Sequence, residues 1–278
     1  MLWVQDLWPQ SFEASGFRLP AIIRKILVSI VKKIYEQTSL IACQSIGFKK
    51  KIHEEYEIPY SKLVYLPNTV DDVFENQSDT KNPLLMKILQ PYEKNFNIIF
   101  TGNIGEAQAI HNILLAAKIV QRSAPKIHFI FIGSGSKLDE MKQYQRDHSI
   151  RNVSFLGRFP VHDMPSILST SSALIISLKK DPIFSLTIPN KLQSYLAAGK
   201  PVIGSIEGEG KKIIHDAKCG FTCEPDQPEV LAALCKKMSD LDDVTRETYG
   251  KNASNFYQHH FSPKSFVKTF KNIAEELA

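Results

Sequence analysis

A short segment in the second half of the chain, residues 185–204, combines residue types that suit the binding of an anion. Pro189 fits the first turn of a helix, where its missing amide hydrogen costs nothing. Helix N-termini carry partial positive charge and free amides, and both attract phosphate. Lys191 in the first turn adds a full positive charge, and the preceding turn offers amides and the hydroxyls of Ser185 and Thr187. The segment therefore predicts a strand, a loop, a helix and a second strand with a site for a diphosphate.

Two glycine-bearing turns follow predicted strands earlier in the chain. Gly102 and Gly105 come after the apolar run that ends at Thr101, and Gly133 and Gly135 come after the next one. Glycine at such positions lets a phosphate, a sugar or a nucleotide approach the backbone, or it simply makes a tight turn. The second turn lacks the third glycine and the downstream acid of a dinucleotide fingerprint, which argues against NAD.

Size and composition favour an ordinary globular protein of one large or two medium domains. The chain has 278 residues, of which 43% are hydrophobic and 23% charged. It contains no apolar run long enough to span a membrane, and its N-terminus does not resemble a signal peptide because Asp6 interrupts the apolar start. Four scattered cysteines indicate a reducing compartment, and neither they nor the eight histidines have metal-ligand spacing. The net charge of +5 comes without arginine-rich tracts, which argues against nucleic acid as a partner.

Apolar runs alternate with amphipathic segments, a pattern that predicts parallel β/α units. We divide the chain into a partial N-terminal Rossmann-like domain at 1–75, a polar linker at 76–95 with one short helix, and a complete C-terminal Rossmann-like domain at 96–255. Residues 256–278 are expected to form a C-terminal helix that returns to the first domain. The first unit has about three strands and the second at least five, so roughly 100 residues of an ordinary first domain are expected to be missing before Met1.

Four segments together resemble the retaining glycosyltransferases of family 4, which have the two-Rossmann-domain architecture called GT-B. They are Phe100-Thr-Gly-Asn-Ile-Gly-Glu-Ala-Gln108, Phe131-Ile-Gly-Ser-Gly135, Val153-Ser-Phe-Leu-Gly-Arg-Phe-Pro160 and Pro189-Asn-Lys-Leu-Gln-Ser-Tyr-Leu-Ala-Ala-Gly-Lys-Pro-Val-Ile203. The resemblance covers nearly the whole chain and is greatest to the amino-sugar transferases that build bacterial surface polysaccharides. It implies an α/β protein that binds a nucleotide-sugar donor between two lobes, without a cofactor or a bound metal.

The resemblance also assigns donor-binding residues. Arg158 would stack on the donor base, unless it is simply a surface arginine, and Lys191 would bind the diphosphate in place of the basic residue that many relatives carry near Asn103. The two glutamates that usually hold the donor fall at Leu186 and Ser194, and neither position is acidic; the hydroxyl of Ser194 is a candidate substitute at the ribose. The full set of expected donor-binding residues is Gly102, Asn103, Gly133, Gly135, Arg158, Ser185, Leu186, Thr187, Asn190, Lys191 and Ser194.

Three further features have two interpretations each. The predicted helix at 20–36 has isoleucines on one face and Arg24, Lys25, Lys32 and Lys33 on the other, so it either packs on the sheet or lies on an anionic membrane. Asp6 either contacts the acceptor or caps a turn. The acidic residues 240–243 superficially resemble a metal site but are expected to cap a helix.

From the sequence we expect a cytoplasmic, peripheral or free, glycosyltransferase that moves a sugar from a UDP-linked donor to a carbohydrate or polyprenyl-linked acceptor. Stabilisation of the departing diphosphate would be its main catalytic device, and we assign no catalytic base. One alternative is a truncated, inactive nucleotide-binding remnant, or half of a split enzyme whose missing strands come from another chain. A weaker one is a GT-B-shaped nucleotide-sugar epimerase, for which no suitable acid and histidine set is found.

Overall fold

The computed structural model describes residues 1–14, 16–75 and 83–275. Residues 76–82, the first part of the expected linker, lie outside this described part, as do residues 276–278 at the end of the last predicted helix. Two parallel sheets, each with its own helices, form two lobes. The predicted α/β class with two Rossmann-like units is therefore confirmed.

The first lobe contains a three-stranded parallel sheet in the order β1-β2-β3. Its elements are β1 (Leu2–Val4), α1 (Gln10–Ala14), α2 (Ala21–Gln37), β2 (Ile41–Cys43), α3 (Ile46–Tyr56) and β3 (Leu63–Tyr65). Leu2 is in register with Ile41, and Ile41 with Leu63. The core under α2 and α3 is built from Tyr35, Ile52 and Tyr56 among others.

The second lobe contains a six-stranded parallel sheet in the order β6-β5-β4-β7-β8-β9. Its strands are β4 (Phe96–Thr101), β5 (Ile127–Ile132), β6 (Val153–Gly157), β7 (Ala173–Ser177), β8 (Val202–Ser205) and β9 (Gly220–Cys223). The helices that follow β3 in the chain are α4 (Pro83–Leu89), α5 (Ile110–Ser123), α6 (Leu138–Asp147), α7 (Met164–Ser169), α8 (Pro182–Leu186), α9 (Asn190–Ala197), α10 (Gly208–Asp216), α11 (Pro228–Asp240), α12 (Asp243–His260) and α13 (Pro263–Glu275). Successive strands run outward from β4 in one direction and from β7 in the other, so the sheet reverses its order between them. Ligands of such sheets bind at the carboxyl ends of the strands beside this reversal.

Local signals explain most differences between the predicted and observed elements. Helix α5 begins three residues later than expected because residues 106–108 form a 3-10 turn and Ala109 then adopts a left-handed backbone (φ 45°). The short α8 was not predicted, although Asp181 caps it and Pro182 occupies its first turn. The acidic segment at 240–243 does cap a helix, since Asp242 accepts the amide of Thr245 at the start of α12.

The last helix packs on the first lobe. Ile273 of α13 lies in a small core with Leu40, Ala42 and Leu66, and the ring of Phe266 lies 5.2 Å from that of Trp3. The chain therefore crosses back after the second sheet and covers the face of the first sheet opposite α2 and α3. Within the described ranges, no helix is both long and apolar enough to cross a bilayer.

The interpretation of α2 as a helix whose isoleucine face packs on the sheet is wrong. Its five isoleucines at 22, 23, 26, 30 and 34 are between 46% and 74% exposed. The helix contacts the first lobe instead through Val28, Val31 and Tyr35, on a neighbouring arc of its surface. The apolar residues of α2 span a wider arc than the sheet beneath can cover, and the isoleucines form the part left in solvent.

Candidate functional site

The loops after β4 and β5 are joined to each other at the carboxyl edge of the second sheet. The amide of Gly102 donates to Ile132 O at 2.8 Å, and the amide of Ile104 donates to Ser134 O at 2.8 Å. A Cβ on Gly133, which has φ of 146°, would lie 1.8 Å from Gly102 O. Only glycine fits there, because the two backbones come into direct contact.

These loops form one wall of a cavity of about 430 Å³. Four of the predicted residues, Gly102, Asn103, Gly133 and Arg158, line this cavity together. Gly135 does not; a Cβ at this position would lie 2.3 Å from Ile104 O, so its role is to let the two loops pack. Three apolar residues of the lining, Phe159, Val161 and Met164, were not predicted. Apolar side chains together with an arginine suit a nucleotide base.

Lys191 lies directly beneath the first of these loops. Its Nζ is 3.8 Å from the centre of the Phe100 ring and 3.6 Å from the point where a Cβ on Gly102 would be. Although the residue is partly exposed, the ammonium nitrogen is buried and has no hydrogen-bond partner among the residues that the structure describes. Burial lowers the pKa of this lysine from 10.5 to about 7. Lys191 is therefore not an ordinary helix lysine whose ammonium is in solvent.

Helix α9, which carries Lys191, is fixed against the central strand. Tyr195 is fully buried, and its hydroxyl accepts the amide of Thr101 at 2.9 Å. In the first turn, the amide of Leu192 donates to Pro189 O, whereas the amides of Asn190 and Lys191 have no acceptor within the described part of the chain. These two amides and the buried ammonium thus lie at one helix end, and the ammonium is close to Gly102, which lines the cavity.

The prediction of free amides around Thr187 is wrong in this conformation. The amide of Thr187 donates to Phe184 O and its hydroxyl to Ile183 O, because these residues end the short helix α8. The amide and hydroxyl of Ser185 likewise have acceptors, at Asp181 and Pro182. The candidate anion site is therefore at the beginning of α9 and not in this turn.

The turn between α8 and α9 is held by the first lobe. The hydroxyl of Ser45 donates to Leu186 O at 2.5 Å, and the side chain of Gln44 accepts the amide of Ile188 at 3.3 Å. From the second lobe, Glu209 accepts the amide of Gly47 at 2.6 Å. We call these three contacts the interlobe latch. They were not predicted from the sequence, in which the available signal was Ser45, the residue that caps α3.

Leu186 belongs to the packing between the lobes. Its side chain contacts the core of the first lobe, and a Cβ on Gly47 would lie 3.0 Å from it. An apolar residue at this position is thus explained by its environment, in which a carboxylate would lose its hydration.

A second cavity, of about 440 Å³, lies between the lobes. It is lined by Trp3, Gln5, Asn68, Thr69, Val70, Asp71 and two predicted residues, Asn190 and Ser194. The buried Asn68 Oδ1 and Thr69 Oγ1 have no hydrogen-bond partner within the described residues. Asp6 is exposed just after β1, at the edge of the first sheet that faces the second lobe. The described residues contain no group of three or more histidines, cysteines or acids positioned to hold a metal.

A sequence model of the family described as "Glycosyl transferases group 1" matches residues 82–256, more than half of the chain. The chain therefore belongs to the group 1 glycosyltransferase family. It is 26% identical over 285 residues to the "Probable glycosyltransferase WbjE" of Pseudomonas aeruginosa, covering 99% of this chain and 69% of that protein. It is 25% identical over 253 residues to the "Putative teichuronic acid biosynthesis glycosyltransferase TuaH" of Bacillus subtilis (strain 168), covering 90% of this chain and 60% of that protein.

Solved structures share the fold. The structure of Anabaena HepE in complex with UDP and glucose has a TM-score of 0.76 at 17% identity, covering 99% of this chain and 70% of that one. The structure of WaaG, a glycosyltransferase involved in lipopolysaccharide biosynthesis, has a TM-score of 0.75 at 13% identity, covering 97% of this chain and 72% of that one. The predicted GT-B architecture is thereby confirmed.

Proposed function

We propose that this protein transfers a sugar from a UDP-linked donor to a carbohydrate or lipid-linked acceptor during synthesis of a surface polysaccharide. The observation that carries this proposal is the unpartnered ammonium of Lys191, buried between the glycine loop at Gly102 and the start of α9. The protein's membership of the group 1 glycosyltransferase family supports the reaction class. Relatives named for teichuronic and colanic acid biosynthesis support the polysaccharide role.

The first cavity would hold the nucleoside. Phe159 and Met164 in its lining suit the base, and Arg158, which also lines it, would stack on the base or contact a phosphate. The diphosphate would then reach the beginning of α9, where the amides of Asn190 and Lys191 and the ammonium are available. A positive site that is already in place and shielded from water stabilises the negative charge that develops on the leaving diphosphate. The proposed reaction is retaining and needs no metal because the lysine and the helix supply this charge.

The donor sugar would differ from the usual one of the family. Leu186 offers no carboxylate to a sugar hydroxyl, and Ser194, which lines the second cavity and not the one proposed for the nucleoside, offers only a hydroxyl. A deoxy or amino sugar, which has fewer hydroxyls to bind, fits these two positions. The acceptor would enter the second cavity between the lobes, whose unpaired Asn68 and Thr69 oxygens accept sugar hydroxyls, with Asp6 at its approach.

A second candidate is a nucleotide-binding remnant, or one half of a split enzyme. The observation that favours it is the outer edge of β1, which pairs with no strand among the described residues. Unpaired edges are sites at which another chain adds strands.

A donor panel tests the proposal and separates the two candidates. The purified protein is incubated with UDP-glucose, UDP-galactose, their N-acetylamino forms and GDP-mannose, and release of the nucleotide is measured. We expect UDP release from at least one UDP-sugar, lost in Lys191→Met and kept in the exposed control Lys118→Met. Binding of UDP without release from any donor would support the remnant, and failure to bind any nucleotide would contradict both candidates.

A further inference from the structure

Helix α2 presents an apolar surface that no described residue covers. Ile22, Ile26 and Ile30 follow one another at helical spacing, and Ile23 and Ile34 lie beside them. Ile22 is 74% exposed, more than is usual for an aliphatic side chain in a stable fold. We call these five residues the isoleucine face.

The surroundings of the isoleucine face are cationic. Residues 18–33 contain five basic residues (Arg18, Arg24, Lys25, Lys32 and Lys33) and no acidic one. Two of them have acidic partners from neighbouring elements: Arg24 pairs with Glu13 and Lys32 with Glu57. Lys33 lies three residues after Ile30 and seven after Ile26, within the isoleucine face itself. A ligand that covers this surface must therefore accept both aliphatic side chains and positive charge.

An aromatic cluster at α1 lies beside α2, since Glu13 of α1 pairs with Arg24 of α2. The rings of Trp8 and Phe12 are 5.5 Å apart, and those of Phe12 and Phe17 are 4.4 Å apart. Trp8 is 49% and Phe17 57% exposed. A Cβ on the adjacent Gly16 would lie 3.9 Å from Glu106 of the second lobe, which places the cluster at the cleft opening.

We propose that the isoleucine face and this aromatic cluster dock on the surface of an anionic lipid bilayer. Amphipathic helices with lysine and arginine beside an aliphatic face lie in the headgroup region, with their apolar side chains in the acyl boundary. The negative surface potential attracts the cations, and tryptophan and phenylalanine suit the same depth. Docked in this way, the protein holds its cleft opening at the membrane, where a lipid-linked acceptor is present; that last consequence rests on the proposed function.

Co-sedimentation with vesicles tests the docking surface without using the enzymatic reaction. Vesicles of phosphatidylglycerol mixed with phosphatidylcholine are compared with vesicles of phosphatidylcholine alone. We expect binding to the anionic vesicles that weakens as salt is raised. The double variant Lys25→Gln/Lys33→Gln should bind about 25-fold less tightly, at roughly fivefold per cation. The triple variant Ile22→Ser/Ile26→Ser/Ile30→Ser should bind about 100-fold less tightly.

Matched controls lie on the second lobe. Ile119→Ser/Val230→Ser/Val244→Ser removes three exposed aliphatic side chains, and Lys118→Gln/Lys251→Gln removes two exposed cations; both should bind like the wild type. Equal binding of all variants, or no binding of the wild type, would overturn the proposal. A wild-type dimer that the triple isoleucine variant converts to a monomer, without vesicle binding, would assign the face to a second copy instead. Vesicle binding by a protein that transfers no sugar would count against the proposed function alone.

Discussion

Burying a lysine ammonium without a hydrogen-bond partner is costly, and Lys191 holds one beneath the loop at Gly102. Phe100 offers only the face of its ring, which compensates part of the lost hydration. A site of this kind is tolerated when a ligand of opposite charge completes it. A diphosphate at the start of α9 would supply that charge, which is why the residue carries the proposed donor site.

Donor binding should depend on pH through this lysine. Burial lowers its pKa to about 7, so at neutral pH the free protein holds a mixture of charged and neutral Lys191. A bound diphosphate favours the charged form, so binding takes up a proton and the affinity falls as pH rises. We expect a loss that approaches tenfold per pH unit well above pH 7.

Calorimetric titration with UDP-glucose from pH 6 to pH 9 measures this dependence, because its diphosphate diester does not titrate in that range. Repeating the titration in two buffers of different ionisation enthalpy counts the protons taken up. Lys191→Met should show a flat profile. A wild-type affinity that stays constant with pH would show that Lys191 does not contact the donor.

At the scale of elements, the site depends on close backbone approach between two βα loops. Gly133 and Gly157 both have positive φ, 146° and 78°, but their surroundings differ. A Cβ at Gly133 would overlap Gly102 O, whereas a Cβ at Gly157 would have nothing within 4 Å. Alanine substitutions at these two glycines therefore distinguish the cost of steric overlap from the cost of backbone strain alone.

We predict that Gly133→Ala lowers the free energy of unfolding by about 3 kcal/mol or more, since both loops must move. Gly157→Ala should cost only about 1–2 kcal/mol, the strain of a left-handed alanine. Urea unfolding of the two variants measures both values. Equal losses would indicate that the contact between the loops relaxes easily and does not shape the cavity.

The interlobe latch links these elements to the first lobe. Ser45 both caps α3 and donates to the carbonyl of Leu186, so one side chain sets the beginning of a helix and the position of the turn before α9. Glu209 adds the reciprocal contact from the second lobe. The position of the diphosphate site thus depends on how the lobes meet as well as on the second sheet.

At the scale of the whole molecule, the strands and helices that local sequence patterns define were predicted reliably. Strands such as β4 and β5 were predicted because each is a continuous apolar run ended by glycine, and α9 because Pro189 and Gly199 mark its two ends. Gly102, Gly133 and Arg158 line one cavity, because parallel strands bring their carboxyl ends together, and their binding of the donor stays a prediction.

Features set by contacts distant in sequence were missed. The burial of Lys191 depends on Phe100, and the pairing of Leu186 depends on Ser45, and no spacing rule encodes either contact. Of the two interpretations of α2, the one in which its isoleucines pack on the sheet was wrong, although an apolar stripe is normally covered. Sequence periodicity shows which residues share a face, but only the packed structure shows which face is covered.

The most direct test of the donor site is the affinity for UDP measured by calorimetry for the wild type, Lys191→Met and Lys118→Met. Lys191→Met keeps the length and apolar stem of the side chain and removes the charge, so it should weaken UDP binding by about 10- to 100-fold. Lys118→Met, which changes an exposed lysine of α5, should leave the affinity unchanged. If Lys191→Met binds UDP as tightly as the wild type, the buried ammonium does not hold the diphosphate and the proposed site is wrong.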